Sequence, residues 1–471
     1  MYRLLNQYTP AISPHINKLP VELLQYIFQH HCGFETSPIS LLLVCRLWNA
    51  IASECSALWG YICYETPPED RNRPSSTPLR KTQERSLVYT SWTHVIDAAK
   101  RASNVPIHLK LVIHTSYDIF NGASTVLLNQ CRTLNLHISQ DNEHVYRAIL
   151  ASKMSYLEHL NLYLPGHNSI DGLLDHLVVS SPHLCSLTLS TFPHRLKELP
   201  ILLERIHYLD LLTSPGPNDQ GSLLSQLTHL KYLTFQAMFL IPTGSLSHLV
   251  SLTITSRTNV IYASPHGFNL PMLTTLALYH HWYCLRGISA PNLKYLRLFS
   301  EREAPDTYLT TMIKNILRPT SLTISDDLPV GNLRELLRGI WCDVHELHWK
   351  ISSHPDSFAS LHTRTMAERI NNALALCAFL AGGVVEKGSG DVEEGNPLCP
   401  QLRCFTLHLI AYGSPTHVDE VAEALRTLTE KRRQHGMQKL ESVKCVWSAN
   451  YRPNHGYDVI DPSHQEWLEL E

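Results

Sequence analysis

Leu273-Thr274-Thr275-Leu276-Ala277-Leu278 and Leu293-Lys294-Tyr295-Leu296-Arg297-Leu298 spell one pattern, L-x-x-L-x-L. With conservative replacements it precedes them at Leu157/Leu160/Leu162, Leu184/Leu187/Leu189, Ile206/Leu209/Leu211, Leu230/Leu233/Phe235 and Leu249/Leu252/Ile254. The steps between successive first positions are 27, 22, 24, 19, 24 and 20 residues. One such hexapeptide is common in a leucine-rich chain. Seven in succession at near-constant spacing mark an internal repeat. Weaker copies stand at Cys131/Leu134/Leu136, Leu322/Ile324, Val344/Leu347/Trp349, Leu402/Phe405/Leu407 and Leu440/Val443.

Alternate side chains of a strand point to opposite faces. The last two apolar positions of each hexapeptide therefore share a face, and stacked copies would bury them in a continuous core. Segments 306–318 and 332–341 have helical periodicity and would cover the buried side. Proline often stands just upstream, at Pro182, Pro271, Pro291 and Pro400, as suits a strand start where a donor can be spared. Period and pattern resemble leucine-rich repeats. The asparagine that usually follows is absent; its position holds Pro165, Phe192, Ser214, Met238, Arg257, His281 and Glu301. The expected fold class is α/β: an irregular leucine-rich-repeat solenoid over 131–450, with short parallel strands and covering helices.

Ahead of the array, residues 15–64 read as three short helices. Leu23, Leu24, Ile27 and Phe28 recur at helical spacing, Ile39 to Val44 is a second apolar stretch, and Leu47, Trp48, Ile51 and Ala52 mark a third helix. Leu58-Trp59 closes the unit. So small a core is marginal alone and leans on a neighbour or partner. Residues 65–85, rich in Pro, Ser, Arg and Thr, read as a linker. Residues 86–130 hold a connecting helix near 86–102 and an alternating strand at 105–111. Helices are expected at 360–380 and 418–434, a Gly- and Glu-rich loop at 386–397, and a polar tail at 451–471.

Composition narrows the function. Hydrophobic residues make up 44%, charged residues 17%, and the formal charge is −3. Nucleic-acid binding driven by phosphate charge is thus not expected, nor is a membrane partner, since no apolar run reaches spanning length. The twelve cysteines are scattered with no C-x-x-C pair, which fits reduced thiols in a cytoplasmic or nuclear protein. No phosphate-binding loop, nucleophile elbow or H-E-x-x-H motif occurs. The 28 histidines form no ligand spacing, so neither metal nor cofactor is expected. Pairs such as Asp326-Asp327 and Glu393-Glu394 read as solvated charge. No catalytic residue is assigned.

Leu19-Pro20-Val21-Glu22-Leu23-Leu24-Gln25-Tyr26-Ile27-Phe28, then Val44-Cys45-Arg46-Leu47-Trp48, then Leu58-Trp59, resemble the F-box pattern Leu-Pro-x-Glu-Leu/Ile-Leu-x-x-Ile-Phe … Val-Cys-[Arg/Lys]-x-Trp … Leu-Trp. The order F-box, linker, helix, irregular repeats resembles the large F-box families of mushroom-forming fungi. The resemblance implies a three-helix F-box that docks on a Skp-type adaptor and, through it, a cullin scaffold. By position it implies Leu19, Pro20, Leu23, Ile27, Phe28, Val44, Cys45 and Trp48 as the adaptor contact or its support. Leu24, Phe28, Leu47, Trp48 and Ile51 also suit the module's own core.

On the array, strand alternation makes Tyr163, Tyr208, Tyr232, Tyr279, Tyr295, Arg297 and Phe299 outward-facing. Aromatics and Arg dominate interface hot spots, although Tyr also suits strands on packing grounds. The column as a whole is the candidate surface for a protein substrate. The implied function is a non-catalytic substrate-recognition adaptor of an SCF-type ubiquitin ligase. A non-degradative F-box scaffold is the alternative, and a hydrolase on a repeat frame is disfavoured by the missing nucleophile motifs.

Overall fold

The structure is a computed structural model. It describes residues 15–31, 38–66, 89, 91–114, 122–138, 143–163, 171–191, 194–213, 223, 226–236, 246–255, 268–279, 288–299, 318–325, 330–339, 341–352, 366–382, 385–386, 392–393, 398–411, 418–449 and 465–469. The chain divides into two compact units, Met1–Thr213 and Ser214–Glu471.

The first unit opens with helices: α1 (Val21–His31), the four-residue α2 (Ile39–Leu42) and α3 (Arg46–Glu54). Leu24 and Phe28, one turn apart on α1, are buried with Ile51 and Ala52 of α3. A 3-10 turn, Ser56–Gly60, buries Leu58 and Trp59. The Trp59 indole donates to the Ala52 carbonyl at 2.9 Å. The next residues are a strand, β1 (Tyr61–Glu65), where no strand was expected from local pattern. Its partner β2 (Ile107–Ile113) lies more than forty residues on, so the pairing has no local signature.

From there strand and helix alternate: α4 (Trp92–Ala102), β2, α5 (Gly122–Asn129), β3 (Cys131–Ile138), α6 (Glu143–Leu150), β4 (His159–Tyr163), α7 (Asp171–Ser180), β5 (Ser186–Leu189), α8 (Pro200–Arg205) and β6 (Tyr208–Leu211). β1 to β6 pair in parallel, in chain order. The register aligns one apolar row, Ile62–Leu109–Leu134–Leu160–Leu187–Leu209, and a second, Tyr64–Leu111–Leu136–Leu162–Leu189–Leu211. Both rows are buried throughout. The helices bury their own apolar stripes, such as Val95 and Ala98 of α4 or Leu174 and Leu177 of α7.

In the second unit β7 (Tyr232–Gln236), β8 (Ser251–Thr255), β10 (Thr275–Tyr279), β12 (Tyr295–Phe299), β13 (Ser321–Ser325), β14 (Glu346–Ser352), β17 (Cys404–Ala411) and β18 (Ser442–Ala449) pair in parallel. Two-residue strands β9 (Phe268–Asn269) and β11 (Ile288–Ser289) form a small parallel ladder of their own. β15 (Val385–Glu386) and β16 (Val392–Glu393) pair antiparallel inside the segment read as a loop. β19 (Gln465–Glu469), in the segment read as a tail, pairs antiparallel with β18. Helices Val330–Arg338, Met366–Leu380 and Val418–Gln434 precede β14, β17 and β18. The helix expected over 306–318 falls almost wholly outside the described residues, as does most of the linker expected over 65–85 and of the tail expected over 451–471.

All seven full hexapeptides are buried at their three apolar positions. The first position does not belong to the strand. Its N–H closes a turn on the carbonyl three residues back: Leu157 to Met154, Leu273 to Leu270, Leu293 to Ala290, Val344 to Trp341 and Leu402 to Cys399. Those upstream residues are buried too. Pro182, Pro271, Pro291 and Pro400 therefore sit just after the first residue of a turn, where a fixed φ is favourable, rather than at the strand start. The residue after the first position forms a backbone ladder: Val250 N–H donates to Lys231, Thr274 to Val250, Lys294 to Thr274, Thr320 to Lys294, His345 to Thr320, Arg403 to His345 and Glu441 to Arg403. Neighbouring turns are thus tied together without asparagine.

Candidate functional site

The N-terminal helices expose an unusual amount of apolar surface. Val21, Leu23, Tyr26 and Ile27 of α1, Leu43 and Val44 in the turn after α2, and Leu47 of α3 are exposed, Leu43 by 81%. They are seven of the fifteen large exposed apolar residues among those described, gathered within 27 residues of sequence. A unit with so few buried side chains cannot cover this surface itself. Exposed apolar patches of this kind mark docking sites.

Of the residues implied for adaptor contact, Leu23, Ile27 and Val44 lie on this surface, Pro20 is exposed, and Leu19 is half-buried. Phe28 is 1% exposed and packs on the half-buried Trp48, ring centroids 4.8 Å apart. Phe28 is therefore core in the free chain, with Trp48 packed against it. Cys45 has extended backbone, and its Sγ accepts from the Trp48 N–H at 3.5 Å, so it acts as the N-cap of α3. A shallow open pocket beside it is lined by Leu42, Leu43, Cys45, Arg46, Asn49 and Ala50. Val21, Tyr26 and Leu43 are exposed as well, and so is Leu47, which local pattern assigns to the module's own core. Their signal was quantity: Leu41-Leu42-Leu43-Val44 is an unbroken apolar run in a unit too small to bury all of it.

The outward faces of the strands carry the other candidates, divided between the two units. In the first, Tyr163 stacks on His137, centroids 4.1 Å apart, and Tyr208 is exposed. The same face holds Asp210, whose Oδ1 is buried without a hydrogen-bond partner. Burial pushes the Asp210 carboxyl up to about 6. Burial, then the Asp210 charge, raises the Tyr163 and Tyr208 phenols, which places the three side chains in one neighbourhood. Burial, then the Lys110 charge, lowers His137 to about 4. Asn161 donates to Asn135 along the adjoining column.

In the second unit Tyr279 stacks on Phe299, centroids 4.5 Å apart, while Tyr232, Tyr295 and Arg297 are exposed. Further along the same face stand His348, Lys350, His408 and Lys444, none of which the aromatic criterion selected. Burial lowers His348, with Glu346 opposing and Arg297 adding. Burial, then His348 and Lys350, lowers His408 to about 4. Among the described residues no cluster of His, Cys, Asp and Glu is placed to hold a metal ion, and no helix is long and apolar enough to cross a membrane. The arrangement leaves an apolar surface on the helices and, in each unit, a polar and aromatic outward face on the strands.

Residues 16–65 match the F-box-like family, a span that runs from the 3-10 turn before α1 to the end of β1. No curated protein matches the chain significantly. The N-terminal helices are thus an F-box-like domain, a class that generally binds Skp-type adaptors, and a sheet of parallel strands follows it.

Proposed function

We propose that the chain is the substrate-recognition adaptor of an SCF-type ubiquitin ligase. The F-box-like helices dock a Skp-type adaptor, which bridges to a cullin scaffold. The strand array, an irregular leucine-rich-repeat solenoid of the kind resembling fungal F-box families, holds a protein substrate. The chain itself performs no chemistry; it raises the local concentration of substrate beside a ubiquitin-charged enzyme. Its setting is the cytoplasm or nucleus, where that machinery works. The observation that carries the reading is the cluster of exposed apolar side chains, Leu23, Ile27, Leu43, Val44 and Leu47, on the segment that matches the F-box-like family.

Truncating a well-seated apolar anchor weakens an interface by about 2 kcal/mol or more, some 30-fold. Leu43 and Val44 make little of the fold, so Leu43→Ala plus Val44→Ala should leave the melting temperature unchanged. Capture of a purified Skp-type adaptor should fall by about two orders of magnitude or more. Full capture by the double variant would overturn the reading.

A further inference from the structure

The outward face of the first unit holds a carboxylate that the F-box reading leaves unused. Strand register sets Ser186 of β5 between His159 of β4 and Tyr208 of β6, and Thr188 between Asn161 and Asp210. Ser186 and Thr188 are short and buried, 9% and 5% exposed, although they share a face with the exposed Tyr208. β5 is therefore recessed between taller side chains. With strands ~4.8 Å apart, the walls of the recess stand about 10 Å from each other. Tyr208 and Asp210 form one wall, and Tyr163, at the end of β4, stands on the other. The Asp210 Oδ1 is buried, and among the described residues no hydrogen bond or ion pair reaches the carboxylate. The Lys and Arg of β1 to β6 are Lys110 and Arg132 alone. Lys110 stands in the same column four strands away, about 19 Å, well beyond a Debye length. Arg132 pairs with Glu158 at 2.9 Å.

We propose that this recess takes a lysine or arginine side chain of the partner protein, its charged head on Asp210 and its aliphatic stem between Tyr163 and Tyr208. The inference gives the adaptor reading above its recognition element; it rests on that reading for the partner's being a substrate, though not for the binding. Complementary charge selects the occupant. A carboxylate would be repelled, and a neutral donor would bond Oδ1 but leave the charge unbalanced. Both tyrosines lie within reach of the Asp210 charge, so a cation seated there also meets their ring faces. A partly buried charge without a counter-ion costs the fold stability, and an incoming cation offsets that cost on binding.

Random twelve-residue peptides displayed on phage are selected against the full chain and against the full chain carrying Asp210→Asn. The wild-type pool should be enriched in Lys and Arg, and the enrichment should be lost with Asp210→Asn. The best peptide should bind wild type about thirtyfold tighter than Asp210→Asn. Replacing its Lys or Arg by Gln should cost about the same factor on wild type and nothing further on Asp210→Asn. Because Asp210→Asn removes a buried charge, its melting temperature should not fall, which separates lost binding from misfolding. Tyr208→Leu should weaken the peptide about fivefold. Lys and Arg exchanged at the same peptide position tell ammonium from guanidinium, and binding by either supports the proposal. A wild-type pool without Lys or Arg enrichment, enrichment that survives Asp210→Asn, or equal binding to both chains overturns it. Failure here with adaptor capture intact removes this inference alone. Cationic selection by a chain that captures no Skp-type adaptor removes the ligase reading alone.

Discussion

Replacing Arg432 should destabilise the second unit about as much as truncating a well-buried core leucine. The side chain leaves the Val418–Gln434 helix and is fully buried. Its Nη1 donates to the carbonyls of Leu380 at 3.1 Å and Leu398 at 3.3 Å. Its Nη2 donates to Cys399 at 3.0 Å, Pro400 at 3.3 Å and Leu402 at 3.5 Å. No carboxylate among the described residues pairs with it. The cation faces backbone carbonyl dipoles at the end of the Met366–Leu380 helix and around the turn that launches β17. That turn contains Cys399 at φ +46°, a left-handed conformation that is unfavourable for a residue with a side chain. Arg432→Met keeps most of the apolar stem and removes every donor. Each buried carbonyl left unsatisfied costs about 1–3 kcal/mol. The Cys399 carbonyl keeps a bond from the Leu402 N–H, and Pro400 is only partly buried, so Leu380, Leu398 and Leu402 dominate. Three such groups, less the several kcal/mol no longer spent desolvating a guanidinium, leave about 4 kcal/mol of destabilisation. Arg432→Lys should lose about 3 kcal/mol, because one ammonium on a shorter reach cannot serve carbonyls fanned across two segments. Native-state hydrogen exchange of the β17 and β18 amides reads the loss locally, which matters in a chain of two units where unfolding need not be two-state. Protection in Arg432→Met within 1 kcal/mol of wild type, or full rescue by Lys, would refute the reasoning.

Phe28→Ala should destabilise the F-box-like helices by about 3–5 kcal/mol, because it opens a cavity against Trp48; thermal melts of Phe28→Ala and of Leu43→Ala, which should hold its stability, separate core from surface. Asp210→Asn should stabilise the first unit by about 1 kcal/mol above pH 6, after discounting for solvent screening. The sign follows from the raised carboxyl: burying the charge costs stability above about pH 6, and the cost fades as pH falls toward the unfolded value, so denaturation of the two chains should converge near pH 4. For His137 and His408, both lowered to about 4, the unfolded chain binds protons first; stability should be full above pH 6.5 and decline toward pH 4, and His408→Gln should flatten part of that slope in urea melts.

The strand array and the F-box motif were legible because their signals are local. L-x-x-L-x-L states which side chains share a face, and repetition states that the faces stack; all seven copies are buried as that pattern requires. Leu19-Pro20 and Val44-Cys45-x-x-Trp48 placed the helical module, and residues 16–65 match its family. What local pattern could not state is what covers each face. Leu24 and Leu23 are adjacent leucines in one motif, yet the first is fully buried and the second half-exposed, because α3 and the Ser56–Gly60 turn pack against α1 and cover one and not the other. Cys45 matched a binding position and serves as a helix cap. The strand pairings of β1 with β2 and of β18 with β19, the turn-to-turn backbone ladder, and the five carbonyls around Arg432 join residues far apart in sequence. The sequence by itself determined the period, the buried rows and the family of the N-terminal module. Only the tertiary structure decided which apolar residues remain for a partner and which side chains meet across strands, because burial and register are set by what lies opposite a residue in space rather than by its neighbours along the chain.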